Sequence, residues 1–219
     1  MKTSLFFSAV FSSFLLSHSL VGLGSDRGQQ LYKTCVPCHG PQAKGRQAMI
    51  QAPAIAGLDE WYLKRQLGKF RAGVRGKQPG YGPAQRMHKL SLTLNGQSDV
   101  DDVSSYVSSM PRSKLETTFM ADAVAGETKY KQVCVVCHGQ DGRGVKAQNA
   151  PSLVGTSDWY ILTQLHNFKK GLRGGDPTKD PTGAIMAGIA STLSEEDMKN
   201  VTYFIQKGFS VEQKKPAAD

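Results

Sequence analysis

One short unit occurs twice in this chain, as Cys35-Val36-Pro37-Cys38-His39 and as Cys134-Val135-Val136-Cys137-His138. A methionine follows each unit at the same distance: Met87 lies 48 residues after His39, and Met186 lies 48 residues after His138. The likeness runs further. Pro53-Ala54-Ile55-Ala56-Gly57 matches Pro151-Ser152-Leu153-Val154-Gly155, and Trp61-Tyr62 matches Trp159-Tyr160. Gln66, Phe70, Gly73, Arg75 and Gly76 match Gln164, Phe168, Gly171, Arg173 and Gly174. These pairs are offset by 98 positions, whereas the cysteines and the two methionines are offset by 99. The first half has one extra residue before the proline and the second has one after the Arg-Gly pair. The shifts cancel, so the histidine-to-methionine spacing is a geometric requirement. The length of 219 residues allows one large domain or two small ones; the repeat decides for two.

Residues three apart share one face of a helical turn. Cys35 and Cys38 therefore both reach the edge of one porphyrin while His39 turns its ring toward the iron, and Cys134, Cys137 and His138 repeat the arrangement. A zinc half-site or a redox CxxC is the alternative for a single unit. A tetrahedral zinc site needs matched ligand pairs, whereas each CxxC here has its own adjacent histidine. The expected cofactors are two covalently attached haem c groups. His39 and His138 are the proximal iron ligands, and Met87 and Met186 the distal ones. Methionine more often fills core gaps, which is the reading for Met49, Met110, Met120 and Met198. Met87 and Met186 stand apart by their repeat position. His88 competes with Met87 but reads as a solvent-facing loop histidine, and His166, opposite Gly68 in the repeat, reads as a surface residue. Pro53 and Pro151 are candidates to hold the other ring nitrogen of each histidine through a backbone carbonyl.

A His–Met pair fills the iron's coordination, and the thioether raises the reduction potential relative to two imidazoles. Such a centre exchanges single electrons and offers no place for a substrate. The chain therefore reads as an electron carrier with no catalytic residues. A dihaem peroxidase or sulfur-compound dehydrogenase is the alternative, and it would need an open haem or an unusual ligand. All four cysteines belong to the two units, so none is left to act as a thiolate ligand or to form a disulfide.

The fold class expected is all-α, each half being about three helices wrapped around a covalent haem. The first helix runs into the CxxCH unit, from about Asp26 or Ala123. The second begins at Asp59 or Asp158, read as N-caps, with Leu63, Leu67 and Phe70 or Ile161, Leu165 and Phe168 as its apolar stripe. The third opens at Ser98 or Ser194, each with an aspartate three residues on (Asp101, Asp197) in the manner of a capping box. Val103, Val107 and Met110, or Met198, Val201 and Ile205, then face inward. Residues 73–83 and 171–183 read as long Gly/Pro-rich loops, of the kind that persist in a compact domain when they serve a function.

The domains expected are a signal peptide over residues 1–24, an N-terminal domain over 25–113, a linker over 114–122 and a C-terminal domain over 123–219. The leader has Lys2 before an apolar, serine-containing run and small residues at 22–24; an uncleaved anchor is its alternative. Export to the periplasm follows. The net charge of +9 is uneven, with 14 basic against 7 acidic residues between positions 25 and 116. Eight of the basic residues (Lys64, Arg65, Lys69, Arg71, Arg75, Lys77, Arg86, Lys89) fall between positions 61 and 98 with no acid among them. They read either as a solvated face that partly offsets haem propionates or as a docking patch for an acidic redox partner, whose electron exchange would slow as salt rises. No nucleic-acid motif is present.

The doubled CxxCH-Gly, the Pro-x-x-x-Gly ahead of the Trp-Tyr pair, the Arg-Gly loop and the methionine before the last helix resemble the dihaem cytochrome c₄ family, over essentially the whole mature chain. That resemblance implies two class I cytochrome c folds with a pseudo-twofold relation and haems near the domain interface. It also implies a periplasmic carrier between quinol-oxidising complexes or dehydrogenases and terminal oxidases or reductases, often in peripheral association with the membrane. Arg86-Met87-His88 is more polar than Ile185-Met186-Ala187, so the two centres are expected to differ in potential.

Overall fold

A computed structural model of the chain describes residues 22–48, 50–112 and 114–209. The expected leader lies outside the described residues except for its last three, which open the first helix. Met49 also lies outside them. The described chain is helical, and its only extended pairing is two isolated bridges, Arg46 with Ala52 and Val145 with Ala150.

The N-terminal half holds α1 (Gly22–Tyr32), the single turn α2 (Val36–His39), α3 (Glu60–Arg71), α4 (Gly82–Ser91) and α5 (Gly96–Ser109). The C-terminal half repeats them as α6 (Ala123–Val133), α7 (Val135–His138), α8 (Asp158–Lys169), α9 (Pro181–Ser191) and α10 (Glu195–Gly208). Each half thus has one full helix more than the expected three. The residues before α4 and α9 are irregular as expected, but the chain around each methionine is helical. Proline in the first turn of α4 and of α9 suits a helix start, since its missing N–H is one that no carbonyl of the helix would have met.

The stripes expected on the second and last helices are buried: Leu63 and Phe70, Ile161, Leu165 and Phe168, Val103 and Val107, and Met198, Val201 and Ile205. Leu67 and Met110 are partly buried against the same cluster. Met120 does not fill a core; it is 86% exposed. In each half the first helix crosses the last, α1 on α5 and α6 on α10, and a glycine sits at each crossing. A Cβ on Gly28 would lie 2.3 Å from the Asp102 carbonyl oxygen, and one on Gly126 only 2.0 Å from that of Asn200. The close approach needs a residue without a side chain.

Two helix starts differ from expectation. α10 forms the capping box: Asp197 N–H donates to Ser194 Oγ and Ser194 N–H donates to Asp197 Oδ2, both at 3.0 Å. The Ser98/Asp101 box does not form. α5 opens earlier, at Asn95, whose N–H donates to Asp99 Oδ2 at 2.8 Å, while Arg27 of α1 donates to Asp99 Oδ1 at 2.8 Å. The helix start is set by the aspartate that also ties α5 to α1. Likewise Ser157, not Asp158, is the N-cap residue of α8. Asp158 is fully buried and accepts hydrogen bonds from the Thr118 N–H at 2.6 Å and hydroxyl at 3.0 Å. It thereby fastens the connecting segment to the C-terminal half, where Gln206 also donates to the Leu115 carbonyl at 2.7 Å.

Candidate functional site

Each CxxCH unit is a single turn. Cys38 N–H and His39 N–H both return to the Cys35 carbonyl, at 3.2 and 2.9 Å, and Cys137 and His138 return to Cys134 at the same two distances. A helical turn brings residues three apart to one face. His39 is 4% exposed and His138 7%. Each Nδ1–H donates to a proline carbonyl, His39 to Pro53 and His138 to Pro151, both at 2.9 Å. A carbonyl only accepts, so the proton is on Nδ1 and the Nε2 lone pair is free. Burial lowers the pKa of both imidazoles and keeps them neutral, against the opposing pull of these carbonyls. Burial likewise pushes the Cys35 thiol up and the Cys134 thiol up to about 12.

Around these turns lies one cavity that runs through both halves. Its wall includes Cys35, Cys38, His39 and Met87 on one side of the molecule and Cys134, His138 and Met186 on the other. Cys137, half-buried on the same turn as Cys134, is the only one of the eight expected site residues not on that wall. Both methionines are half-buried and come from α4 and α9. Leu63, Phe70, Ile161 and Phe168 supply much of the apolar lining.

Sequence reasoning missed the polar cluster where the halves meet. Arg75 donates to Gln66 at 2.7 Å, to Gln164 at 2.9 Å and to the Tyr160 hydroxyl at 2.8 Å. Arg173 mirrors it, donating to Gln164 at 3.0 Å, to Gln66 at 3.2 Å and to the Tyr62 hydroxyl at 3.0 Å. Each arginine thus holds its own half's glutamine, the other half's glutamine and the other half's tyrosine. Among the described residues neither is in ion-pair contact with a carboxylate. The signal was present, since all six residues belong to the repeat, but it pointed to a shared fold before it pointed to a shared interface.

The residues fit two haem c groups. Two thiol-bearing turns, two neutral imidazoles with a free Nε2 and two thioethers line an apolar-walled cavity. The guanidiniums of buried Arg75 and half-buried Arg173 have no carboxylate partner among the described residues and would be matched by a group with acidic edges.

The basic run is mostly not a surface patch. Lys64 pairs with Glu60 at 2.7 Å and Asp101 at 3.1 Å. Arg65 reaches Asn149 of the other half at 2.8 and 2.7 Å, and Lys69 reaches Asp180 at 2.5 Å. Arg71 caps the Leu94 carbonyl, and Arg75 is buried. Lys77, Arg86 and Lys89 remain exposed. His88 is not a solvent-facing loop residue. It is half-buried on α4, and its ring bonds the Phe70 carbonyl at 2.5 Å. His166 bonds Glu195 at 2.8 Å and ties α8 to the start of α10.

Comparison with known proteins agrees with the tandem helical fold. The family model described as cytochrome c matches residues 25–111 and again residues 123–208. The chain is 31% identical to cytochrome c4 of Azotobacter vinelandii over 82% of its own length and 86% of that protein. It is 30% identical to the thiosulfate dehydrogenase electron acceptor of Stutzerimonas stutzeri, over 80% of this chain and 79% of the relative. Its fold superposes on the crystal structure of reduced recombinant cytochrome c4 from Pseudomonas stutzeri with a TM-score of 0.65 and 30% identity, covering 83% of this chain and 97% of that one.

Proposed function

The chain belongs to the cytochrome c₄ family, as an electron carrier with two cytochrome c domains for two covalent haem c groups, and from that premise we propose a specific station for it. It works in the periplasm, taking single electrons from a quinol-oxidising complex or a dehydrogenase and passing them to a terminal oxidase or reductase. When bound, each haem supplies a reversible one-electron couple at its iron. The rest is the work of the chain. Cys35, Cys38, Cys134 and Cys137 fix the groups covalently. His39 and His138, aimed by the carbonyls of Pro53 and Pro151, would offer Nε2 to the iron. Met87 and Met186 would offer sulfur to it, and a centre held by both ligands would pass electrons and leave no place for a substrate. Soft thioether ligation favours the reduced metal and keeps the potential high.

The observation that carries this reading is that each half brings its histidine and its methionine to the wall of one apolar cavity. The name of the Stutzerimonas stutzeri relative supports a dehydrogenase among the donors. Lys77, Arg86 and Lys89, the exposed remainder of the basic run, suit a partner with an acidic docking surface. Among the described residues no helix is long and apolar enough to cross a membrane.

The test replaces one sulfur at a time. In Met87→Leu and in Met186→Leu, the weak far-red absorption band of methionine ligation should fall by about half, with one of the two midpoint potentials moving down and the other unmoved. Cyanide should bind quickly to the altered centre alone. An unchanged spectrum in either variant refutes the ligand assignment. Rapid cyanide binding by the unaltered protein would favour the enzyme reading.

A further inference from the structure

The two methionine-bearing helices are anchored differently. α4 is pinned inside its own half by two side chains of its own: the His88 ring bonds the Phe70 carbonyl at 2.5 Å, and Arg86 donates to the Ile50 carbonyl at 2.7 Å. The repeat places Ala187 and Ile185 at those positions on α9. Neither can make such a bond.

What α9 has instead stands at its start. Asp180 is its N-cap, accepting from the Gly183 N–H at 2.7 Å, whereas the equivalent residue before α4 is Tyr81, whose side chain makes no cap bond. The cation for Asp180 comes from the other half. Lys69 of α3 donates to Asp180 Oδ1 at 2.5 Å and to the Thr182 hydroxyl at 3.2 Å, with only 16% and 5% of the Lys69 and Asp180 side chains exposed. The repeat counterpart of Lys69 is Asn167, so the reverse ion pair cannot form. The same first turn is held from below by the Arg-Gly loop. Gly174 has φ +70°, and a Cβ there would meet the Gly183 carbonyl at 2.2 Å. Met186 follows the cap by six residues, roughly 9 Å along the helix axis, so any tilt of the capped turn is delivered to its sulfur.

We propose that Lys69 is a positioning residue for Met186: the N-terminal domain sets the sulfur of the C-terminal centre through the ion pair with Asp180, and the repeat positions Asn167 and Tyr81 give Met87 no counterpart of that ion pair. The C-terminal centre is therefore tuned by a charged contact between the domains, while α4 has its own His88 and Arg86 bonds to hold Met87. This rests on Met186 being the ligand, as proposed above, and the controls keep the two claims separate.

The experiment uses the haem-loaded full chain. Lys69→Met keeps the aliphatic stem and removes the charge, Asp180→Asn keeps the acceptor for Gly183 N–H and removes the charge, and Lys69→Arg restores it. Two readouts are taken. One is the pair of ring-current-shifted methionine methyl resonances of the reduced protein, assigned by their loss in Met87→Leu and Met186→Leu. The other is the two midpoint potentials. Lys69→Met and Asp180→Asn should each move only the Met186 resonance and lower only the potential that Met186→Leu also lowers. Lys69→Arg should restore both. The proposal is overturned if both resonances stay in place while only thermal stability falls, or if both centres move equally. If Met186→Leu leaves the resonances untouched, the ligand assignment fails and the proposal falls with it. If one charge-removing variant does not load haem, the other decides.

Discussion

At the scale of single residues, the chemistry of the site was written in side-chain type and spacing, and much of what lies around it was not. A histidine next to a CxxC announces a ligand, and the proline some 14 residues on could be guessed to aim it, because a carbonyl is the partner an Nδ1–H needs. Asp158 was misjudged, and Asp99 passed over, for the opposite reason. A short acid near a helix start has several uses, and only the fold shows that Asp99 serves Arg27 and Asn95 together. Those donors hold the Asp99 carboxyl below the usual range, the Arg27 bond first among them. A carboxyl depressed in the folded state stabilises the fold above its unfolded pKa, which is near 3.9. That stability is lost as pH falls through the folded value. Asp99→Asn should therefore lower the urea midpoint at pH 7, and the gap from the parent protein should close as acid is added toward pH 3. A gap of constant size across that range would show that the carboxylate charge is not the cause.

Helices that bury an apolar stripe announced themselves, and helices that do not were read as loops. α4 and α9 run through Gly-Pro-Ala-Gln and Pro-Thr-Gly-Ala, whose composition signals a turn. They are helical nonetheless, and each brings a methionine to the cavity wall. Periodicity cannot reveal a helix whose apolar face is meant for a cofactor. Helix crossings show the same limit, since Gly28 and Gly126 look like weak points in a helix until the neighbour is known. Two glycine substitutions separate these cases. Gly126→Ala places a carbon 2.0 Å from the Asn200 carbonyl oxygen and should cost about 1–3 kcal/mol. Gly68→Ala, on the exposed face of α3 with nothing within 4 Å, should stabilise by about 0.5–1 kcal/mol. Chemical denaturation of both variants, with haem loading checked by absorbance, measures the pair. A destabilised Gly68→Ala would mean that this face is not free.

Across the whole molecule, the repeat foretold two halves but not the way they grip each other. Arg75, Gln66 and Tyr62 meet Arg173, Gln164 and Tyr160 crosswise, so the symmetry of the sequence becomes a symmetry of the interface. Arg112 adds a bond to each side, to Gly57 and to Ser152, at 2.7 and 2.8 Å. Replacing Arg75 and Arg173 together by alanine leaves both glutamines and both tyrosines without their shared donors. The double variant should have a larger radius of gyration in solution scattering and should unfold in two steps, whereas retained compactness would show that the remaining contacts suffice. The extra residue of the first half has a different lesson. It falls in the loop closed by the Arg46–Ala52 bridge, and the shorter loop of the second half is closed by Val145–Ala150. Beyond each closure the proline carbonyl arrives at the same 2.9 Å from its histidine. Inside the bridges the two halves differ in length by one residue, and beyond them they agree as far as the Arg-Gly pair. Spliced-in peptide should be tolerated at the exposed Gln47 and Ala48, ahead of the Ile50 carbonyl that Arg86 holds, which makes that spot a natural handle for wiring the protein to an electrode without disturbing its current.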